Sequence, residues 1–215
     1  LASAQGMLRF TPTRAYPALA GDRPGALPVQ LSRAQSSNTT VTLGERLFLT
    51  YCAQCHGSDA RGAKGFPNLT DKDWLWGGEP EQIKTSILEG RQGVMPPHAQ
   101  LGAEPVKDLA HYVRSLSPGT LPHDSARAPR GKEALATAGC AGCHGPAAKG
   151  MAAEGAPNLT DSVWLYGSSE ATVIETIGKG RSNKMPAHKE FLGEAKSHLL
   201  AAYVYGLSQG GTEKQ

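Results

Sequence analysis

Hydrophobic side chains recur at helical spacing in three segments of each half of the chain. Ile83 and Ile87 show this spacing most clearly, with Pro80 suited to the first turn of a helix and Gly90 to its end. No strand-like alternation of any length is present, so the pattern predicts an all-α fold. The predicted helices cover 43–52, 80–89 and 106–116 in the first half, and 132–140, 170–177 and 194–207 in the second.

An internal repeat explains why the two halves look alike. Phe66-Pro-Asn-Leu-Thr-Asp71 returns as Ala156-Pro-Asn-Leu-Thr-Asp161, and a Gly-Arg pair precedes a Met-Pro pair in both halves. Two copies of one small domain are therefore predicted. The predicted organisation is an extended N-terminal tether over 1–40, a first domain over 41–118, a Pro-rich linker over 119–130, a second domain over 131–210 and a tail over 211–215.

Length and composition agree with two soluble domains. The chain has 215 residues, of which 19% are charged and 39% are hydrophobic, and this is a globular composition. No run of 18 apolar residues occurs, so the sequence predicts no transmembrane segment. The formal charge of +3 is small, and we expect no nucleic-acid partner.

The four cysteines carry the most specific chemistry. They form Cys52-Ala-Gln-Cys55-His56 and Cys140-Ala-Gly-Cys143-His144, and Cys-x-x-Cys-His is the attachment motif of haem c. The sequence therefore predicts two covalent haem c groups, with His56 and His144 as iron ligands. A zinc site or a redox dithiol is the alternative for such a cysteine pair. Covalent haem attachment implies an exported protein, and we expect it in a bacterial periplasm.

The residue opposite each histidine decides whether the iron is open or closed. Met95 and Met185 occupy the same position in the two repeats, and a methionine sulfur as sixth ligand closes the iron and raises its potential. We predict these two methionines as the metal ligands. His98 and His188 are also in register and are the rival pair, although a surface position or a propionate contact suits them better.

Other residues in register suggest further haem contacts. Arg91 and Arg181 could each neutralise a propionate, or could be solvated loop side chains. Trp74 and Trp164 could donate hydrogen bonds to propionates, although packing against the haem edge is the safer interpretation. The carbonyls of two prolines, Pro67 and Pro157, are expected to orient the histidine ligands.

The repeated motifs go beyond a generic cytochrome c. Over roughly 41–208 the sequence resembles the dihaem subunit III of cbb3-type cytochrome c oxidase, on segments that include Phe66–Gly78, Gly90–Pro96, Ala156–Ser168 and Leu192–Ser208. The resemblance implies class I cytochrome c folds, His/Met ligation at both irons, and transfer of single electrons from a donor cytochrome c to the haem–copper catalytic subunit. It also implies the other oxidase subunits as partners.

Three functions remain open from the sequence. The first is an electron-transfer subunit that is not an enzyme by itself, on the periplasmic side of the bacterial inner membrane. The second is a free periplasmic dihaem shuttle of another pathway. The third is a dihaem peroxidase, which needs an iron that can open and so conflicts with two Met-Pro sites in register. The family carries a membrane anchor before its first haem domain, and we expect this sequence to lack one.

Overall fold

The fold is mostly helical, as the sequence predicts. The structure is a computed structural model that describes residues 38–119 and 121–210, with side chains from residue 42 onward. The predicted tether up to residue 37 and the predicted tail over 211–215 lie outside these residues. The described part contains helices α1 (Asn38–Tyr51), α2 (Ala53–His56), α3 (Pro80–Glu89), α4 (Ala103–Ser115), α5 (Ala128–Thr137), α6 (Ala141–His144), α7 (Glu170–Lys179) and α8 (Lys189–Ser208), a short 3-10 helix (Ala99–Leu101), and strands β1 (Arg91–Met95) and β2 (Arg181–Met185).

Local sequence signals set the ends of the helices. Helix α3 begins at Pro80 behind a capping box formed by Glu79 and Gln82, and it ends at Gly90, whose φ of +71° suits glycine. Helix α8 begins five residues before the predicted start at 194. Gly193, with φ of +64° and ψ of 178°, interrupts it, so the regular helix resumes where the sequence predicted its beginning.

The Pro-rich segment between the repeats is shorter than predicted. Helix α5 begins at Ala128 and includes Pro129, which the first turn of a helix tolerates because its nitrogen needs no partner there. Asp108 of α4 accepts hydrogen bonds from the guanidinium groups of Arg127 and Arg130 at 2.8 Å each. The end of the predicted linker is therefore helical and held against the first repeat.

Two short strands pair in an antiparallel ladder, which the sequence did not predict. Arg91 pairs with Met185, and Met95 pairs with Arg181. The central pair is Gly93 with Asn183, which occupy equivalent positions in the two repeats. The ladder thus relates the two repeats by an approximate two-fold axis.

The described residues form two hydrophobic cores, and neither core is confined to one repeat. The first core combines Phe48, Ile83 and Ile87 with Leu200 and Val204 from the end of the chain. The second combines Val106, Leu109 and Val113 of α4 with residues of the second repeat, Leu135, Val173 and Ile177. The predicted domain boundaries thus describe the repeats along the sequence, whereas in space the two repeats exchange their last helices, α4 and α8.

The helix crossings show the same exchange. Gly44 of α1 lies against α8, where an added Cβ would approach the Tyr203 side chain to 2.6 Å. Gly131 of α5 lies equally close to α4, against the backbone of Asp108 and the side chain of Tyr112. Each repeat's first helix therefore packs closely on the other repeat's last helix.

Candidate haem sites

Both Cys-x-x-Cys-His motifs form one tight helical turn. In the first, the N–H of His56 donates to the carbonyl of Cys52 at 3.0 Å, and Gly57 ends the turn with φ of +79°. In the second, His144 donates to the carbonyl of Cys140 at 3.0 Å. The turn brings both thiols and the imidazole of each motif together, as covalent attachment to one porphyrin requires.

A backbone carbonyl orients each imidazole. His56 Nδ1 lies 3.0 Å from the carbonyl oxygen of Pro67, and His144 Nδ1 lies 3.0 Å from that of Pro157. This contact confirms the expectation for the two prolines. With Nδ1 donating to a carbonyl, Nε2 of each ring is left as the unprotonated nitrogen that an iron requires. The residues present therefore fit an axial histidine in both motifs.

The loop that supplies this carbonyl is built by its own side chains. Asn68 Oδ1 accepts hydrogen bonds from the backbone N–H of Thr70 at 2.9 Å and from its hydroxyl at 2.8 Å. Asn158 and Thr160 repeat both contacts in the second site. The Pro-Asn-Leu-Thr motif is thus a side-chain-closed turn that fixes the position of the preceding carbonyl.

The first cysteine of each motif lacks the lowered pKa of a reactive redox thiol. Burial raises the pKa of Cys52 to about 11, and burial also raises the pKa of Cys140. A reactive dithiol needs a lowered thiol pKa so that a thiolate forms at neutral pH. Burial also lowers the pKa of His56, which keeps its imidazole neutral as a metal ligand must be.

The two cysteine pairs belong to different cores. Cys52 packs against the first hydrophobic core and Cys140 against the second. A four-cysteine zinc site needs both pairs around one metal ion. The geometry therefore supports two separate sites, one for each motif.

The predicted methionine ligands reach these cores in a crossed arrangement. Met185 packs against the first core, together with Cys52, and Met95 packs against the second core, together with Cys140. Each methionine therefore packs against the core beside which the first cysteine of the other repeat's motif also lies, and the assignment of Met95 and Met185 as iron ligands stays a prediction.

The rival histidines follow the methionines into the same cores. The N–H of His188 donates to the carbonyl of Ile87 at 3.0 Å, and His98 makes the equivalent bond to Ile177 at 3.0 Å. The Nδ1 atom of His188 is buried and has no hydrogen-bond partner among the described residues. A haem propionate at the first site is the kind of group that would satisfy it.

The predicted arginines lie at the boundary between the repeats. The guanidinium of Arg91 lies 5.1 Å from the ring centre of Trp76, and that of Arg181 lies 4.3 Å from the ring centre of Tyr166. Arg91 also donates to the Ser86 hydroxyl at 2.8 Å. These contacts occupy much of each side chain, so a propionate contact by either arginine stays a prediction.

The aromatic residues divide into two classes. Trp74 packs against the first core and Trp164 against the second, as expected for side chains at a haem edge. Their neighbours Trp76 and Tyr166 face the opposite repeat instead: an added Cβ on Gly155 would overlap the Trp76 ring, and one on Gly65 would lie 3.6 Å from the Tyr166 ring. Trp76 and Tyr166 lie inside the repeated segments Phe66–Gly78 and Ala156–Ser168, but the sequence alone does not separate their role from that of Trp74 and Trp164.

This arrangement of two small helical cores, each with a Cys-x-x-Cys-His turn and an oriented histidine, is that of a dihaem c-type cytochrome. The model of the family described as cytochrome c oxidase, cbb3-type, subunit III, matches residues 39–113 and 126–204. The chain therefore belongs to this family, whose members carry covalent haem c.

Several curated proteins are similar over most of the described chain. The cbb3-type cytochrome c oxidase subunit CcoP of Rubrivivax gelatinosus is 50% identical over 174 residues, which cover 80% of this chain and 56% of that protein. The subunit FixP of Bradyrhizobium sp. (strain ORS 278) is 44% identical over 180 residues, which cover 78% of this chain and 61% of the relative. The chain thus spans about three fifths of the length of these relatives. Among the described residues, no helix is both long and apolar enough to cross a membrane.

Proposed function

We propose that this chain is the dihaem electron-transfer part of a cbb3-type oxidase subunit III. It accepts single electrons from a donor cytochrome c and passes them to the haem–copper catalytic subunit, on the periplasmic side of a bacterial inner membrane. The observation that carries the proposal is the pair of Cys-x-x-Cys-His turns in a chain of this family, each with its histidine oriented by a proline carbonyl.

The residues of the chain have defined tasks in this function. Cys52, Cys55 and His56 would hold one haem, and the equivalent residues of the second motif would hold the other. Haem iron with a ligand on both faces supplies a one-electron carrier. Pro67 fixes the tautomer of His56 through the 3.0 Å contact, so that Nε2 is ready to bind iron without reorientation.

The packing around each motif favours electron transfer over bond chemistry. Leu69 and Trp74 border the first core next to Cys52, and Leu159 and Trp164 border the second. With Met95 and Met185 as sixth ligands, neither iron has an open position for oxygen or peroxide. The chain is therefore proposed to be no enzyme by itself, and the other oxidase subunits are its partners.

The test is electron delivery to the oxidase. The chain, produced with its native leader and any preceding residues, is returned to membranes whose oxidase lacks subunit III. Oxygen uptake with reduced donor cytochrome c should be restored, and the chain should co-purify with the catalytic subunit. A matched variant with Cys52→Ala and Cys55→Ala, which removes one haem, should restore much less uptake. Unrestored uptake with a fully haem-loaded chain would contradict the proposal and favour a free shuttle.

A second measurement separates a carrier from a peroxidase. The reduced protein should neither bind carbon monoxide nor turn over peroxide, because both irons are closed. Either reaction in the untreated protein would show an accessible iron and contradict the assignment of two six-coordinate sites.

A further inference from the structure

We propose that Tyr166 of the second repeat is a positioning residue for the first haem, the one attached at Cys52 and Cys55. It acts on the loop that orients His56, by covering a backbone hydrogen bond between the two repeats. The inference rests on the proposed function only in taking both motifs as haem carriers. It goes further in giving the second repeat an influence on the reduction potential of the first haem.

The first loop runs from Gly62 to Pro67 and is tightly closed. The N–H of Gly62 donates to the carbonyl of His56 at 2.8 Å, and Ala63 and Phe66 exchange hydrogen bonds of 3.0 and 2.8 Å. An added Cβ on Gly62 would approach the carbonyl oxygen of Pro67 to 2.7 Å. In so compact a loop, a displacement of the tip is passed on to the carbonyl that lies 3.0 Å from His56 Nδ1.

The tip of the first loop is held by the second repeat. Gly65 has φ of +87°, and its N–H donates to the carbonyl of Leu165 at 2.9 Å. The Tyr166 ring covers the same glycine and lies 3.6 Å from where a Cβ would be. Trp164, which packs against the core of Cys140, directly precedes the accepting residue. The hydrogen bond therefore connects the first loop with the edge of the second haem site.

The second loop, over residues 150–157, is two residues longer and closes on itself. The N–H of Gly155, the counterpart of Gly65, donates to the carbonyl of Ala152 in its own loop at 3.3 Å. The Trp76 ring covers Gly155 from the first repeat. Among the described residues, however, no backbone hydrogen bond joins the second loop to the first repeat. The two loops thus differ in whether the opposite repeat holds their backbone.

The loop acts on the iron through the imidazole of His56. A hydrogen bond from Nδ1 to a carbonyl makes the imidazole a stronger electron donor, which favours oxidised iron and lowers the potential. Loosening the first loop weakens the contact with Pro67 and should therefore raise the potential of the first haem. The carbonyl of Pro157 is supported within its own loop, so uncovering that loop should not change the second haem.

The rings of Tyr166 and Trp76 form a matched pair for the test. Tyr166→Ala opens the hydrogen bond of Gly65 to water and leaves every residue of the first repeat in place. Tyr166→Phe keeps the ring and removes only the hydroxyl, which donates to Asn183. Trp76→Ala uncovers Gly155 in the same way on the second loop. All variants are made in the full-length, haem-loaded chain.

The midpoint potentials of the two haems are measured separately in a Cys140→Ala background. This change attaches the second haem through Cys143 alone and moves its ferrous α band to longer wavelength. We expect Tyr166→Ala to raise the potential of the first haem, Tyr166→Phe to restore it, and Trp76→Ala to leave the second haem unchanged. Amide hydrogen exchange at Gly65 should accelerate by roughly tenfold or more in Tyr166→Ala and not in Tyr166→Phe.

An unchanged potential of the first haem in Tyr166→Ala would overturn the inference. Equal shifts of both haems in that variant would also overturn it, and so would a shift of the second haem in Trp76→Ala that is as large as the shift of the first haem in Tyr166→Ala. If Tyr166→Ala does not mature, Tyr166→Leu also removes the ring, and the same results are expected and the same results would refute the inference.

A loop exchange adds a test that a merely structural role would not pass. When residues 63–65 are replaced by the sequence of residues 151–155, the first loop closes on itself, and removal of the Tyr166 ring should no longer change the potential of the first haem. A change of the same size as in the parent loop would contradict the inference. Oxygen uptake restored by the parent chain is a separate result, so the proposed function stands or fails independently.

Discussion

Leu109 and Leu200 offer a matched test of the exchanged cores. They occupy equivalent positions in the last helices of the two repeats, and their exposed fractions are 2% and 0%. Leu200 comes from the second repeat yet lies in the core of Cys52, whereas Leu109 comes from the first repeat yet lies in the core of Cys140. Replacing either by alanine should therefore destabilise the haem site of the opposite repeat.

The expected size follows from the burial. Leucine to alanine removes three carbon groups, each worth about 0.8 kcal/mol when fully buried, and this gives roughly 2.4 kcal/mol. The cavity that remains adds to this, so a total of about 3–5 kcal/mol is expected. Lys196→Ala on the exposed side of α8 is the control for helix effects and should change stability by less than about 0.5 kcal/mol.

The assay is a urea titration of the full-length, haem-loaded protein that carries Cys52→Ala. This variant attaches the first haem through Cys55 alone, which leaves one vinyl group conjugated and moves the α band of that ferrous haem, the tagged haem, to longer wavelength. The low-spin spectrum of the tagged haem reports the first site, and that of the untagged haem reports the second. Leu200→Ala should shift the urea midpoint of the tagged haem further than that of the untagged one, and Leu109→Ala should do the reverse. If Leu200→Ala acts mainly on the untagged haem, the two cores are not exchanged and the reasoning is refuted.

Three further predictions follow from individual contacts. A pyridine haemochrome assay should give two haems per chain, and a value of one would contradict the assignment of both motifs. Gly90→Ala should lower stability in thermal unfolding by about 1–3 kcal/mol, because its φ is positive and the added Cβ would clash with the carbonyl oxygen of Met185. Gly178→Ala is the control: its Cβ would meet no atom within 4 Å, so it should be neutral or raise stability by up to about 1 kcal/mol. The hydrogen bond from Arg130, with that from Arg127, lowers the pKa of Asp108 below 3.8. Asp108→Asn should therefore lower the free energy of unfolding above about pH 4, and its difference from the parent protein should fade as the pH falls through the lowered pKa. A difference that does not depend on pH would contradict this.

The helices and the haem motifs could be predicted because their signals are local. Pro80 is the first residue of α3 and Gly90 directly follows its last, and the observed bounds agree with the predicted ones. The Cys-x-x-Cys-His turn is likewise contained in five residues. The carbonyl contact of Pro67 to His56 spans 11 residues but was still visible, because the same proline follows both motifs at a similar distance.

The strand ladder and the exchange of α4 and α8 between the two cores could not be predicted, because both depend on contacts between residues that are far apart in the sequence. Strands β1 and β2 read Arg-Gln-Gly-Val-Met and Arg-Ser-Asn-Lys-Met, which have no alternating hydrophobic pattern. Their backbone pairing exists only when the two repeats meet. The core positions of α4 and α8 are nearly the same, so the hydrophobic pattern of either helix fits either core and leaves the choice of partner open.

The connection between the repeats supplies a physical reason why α4 packs in the core of Cys140 and not in the core of Cys52. Helices α4 and α5 are consecutive along the chain and pack against each other in the second core, which is the usual outcome for neighbouring elements joined by a short segment. Asp108 of α4 forms ion pairs with Arg130 of α5 and with Arg127, the residue directly before α5, with N···O distances of 2.8 Å. In an unexchanged arrangement α4 would lie in the core of Cys52 while α5 stayed with Cys140, and both ion pairs would be lost.

Exchange between two copies normally requires two chains to associate, and its stability then depends on protein concentration. Here the copies are joined by the segment between α4 and α5, so the exchange is intramolecular and its entropy depends only weakly on the length of that segment. Each haem site then needs residues from both repeats: the histidine and thiols from one, and buried core residues such as Leu200 or Leu109 from the other. A change that loosens the ladder at Gly93 and Asn183 must therefore affect both irons together, whereas two independent domains would respond one at a time.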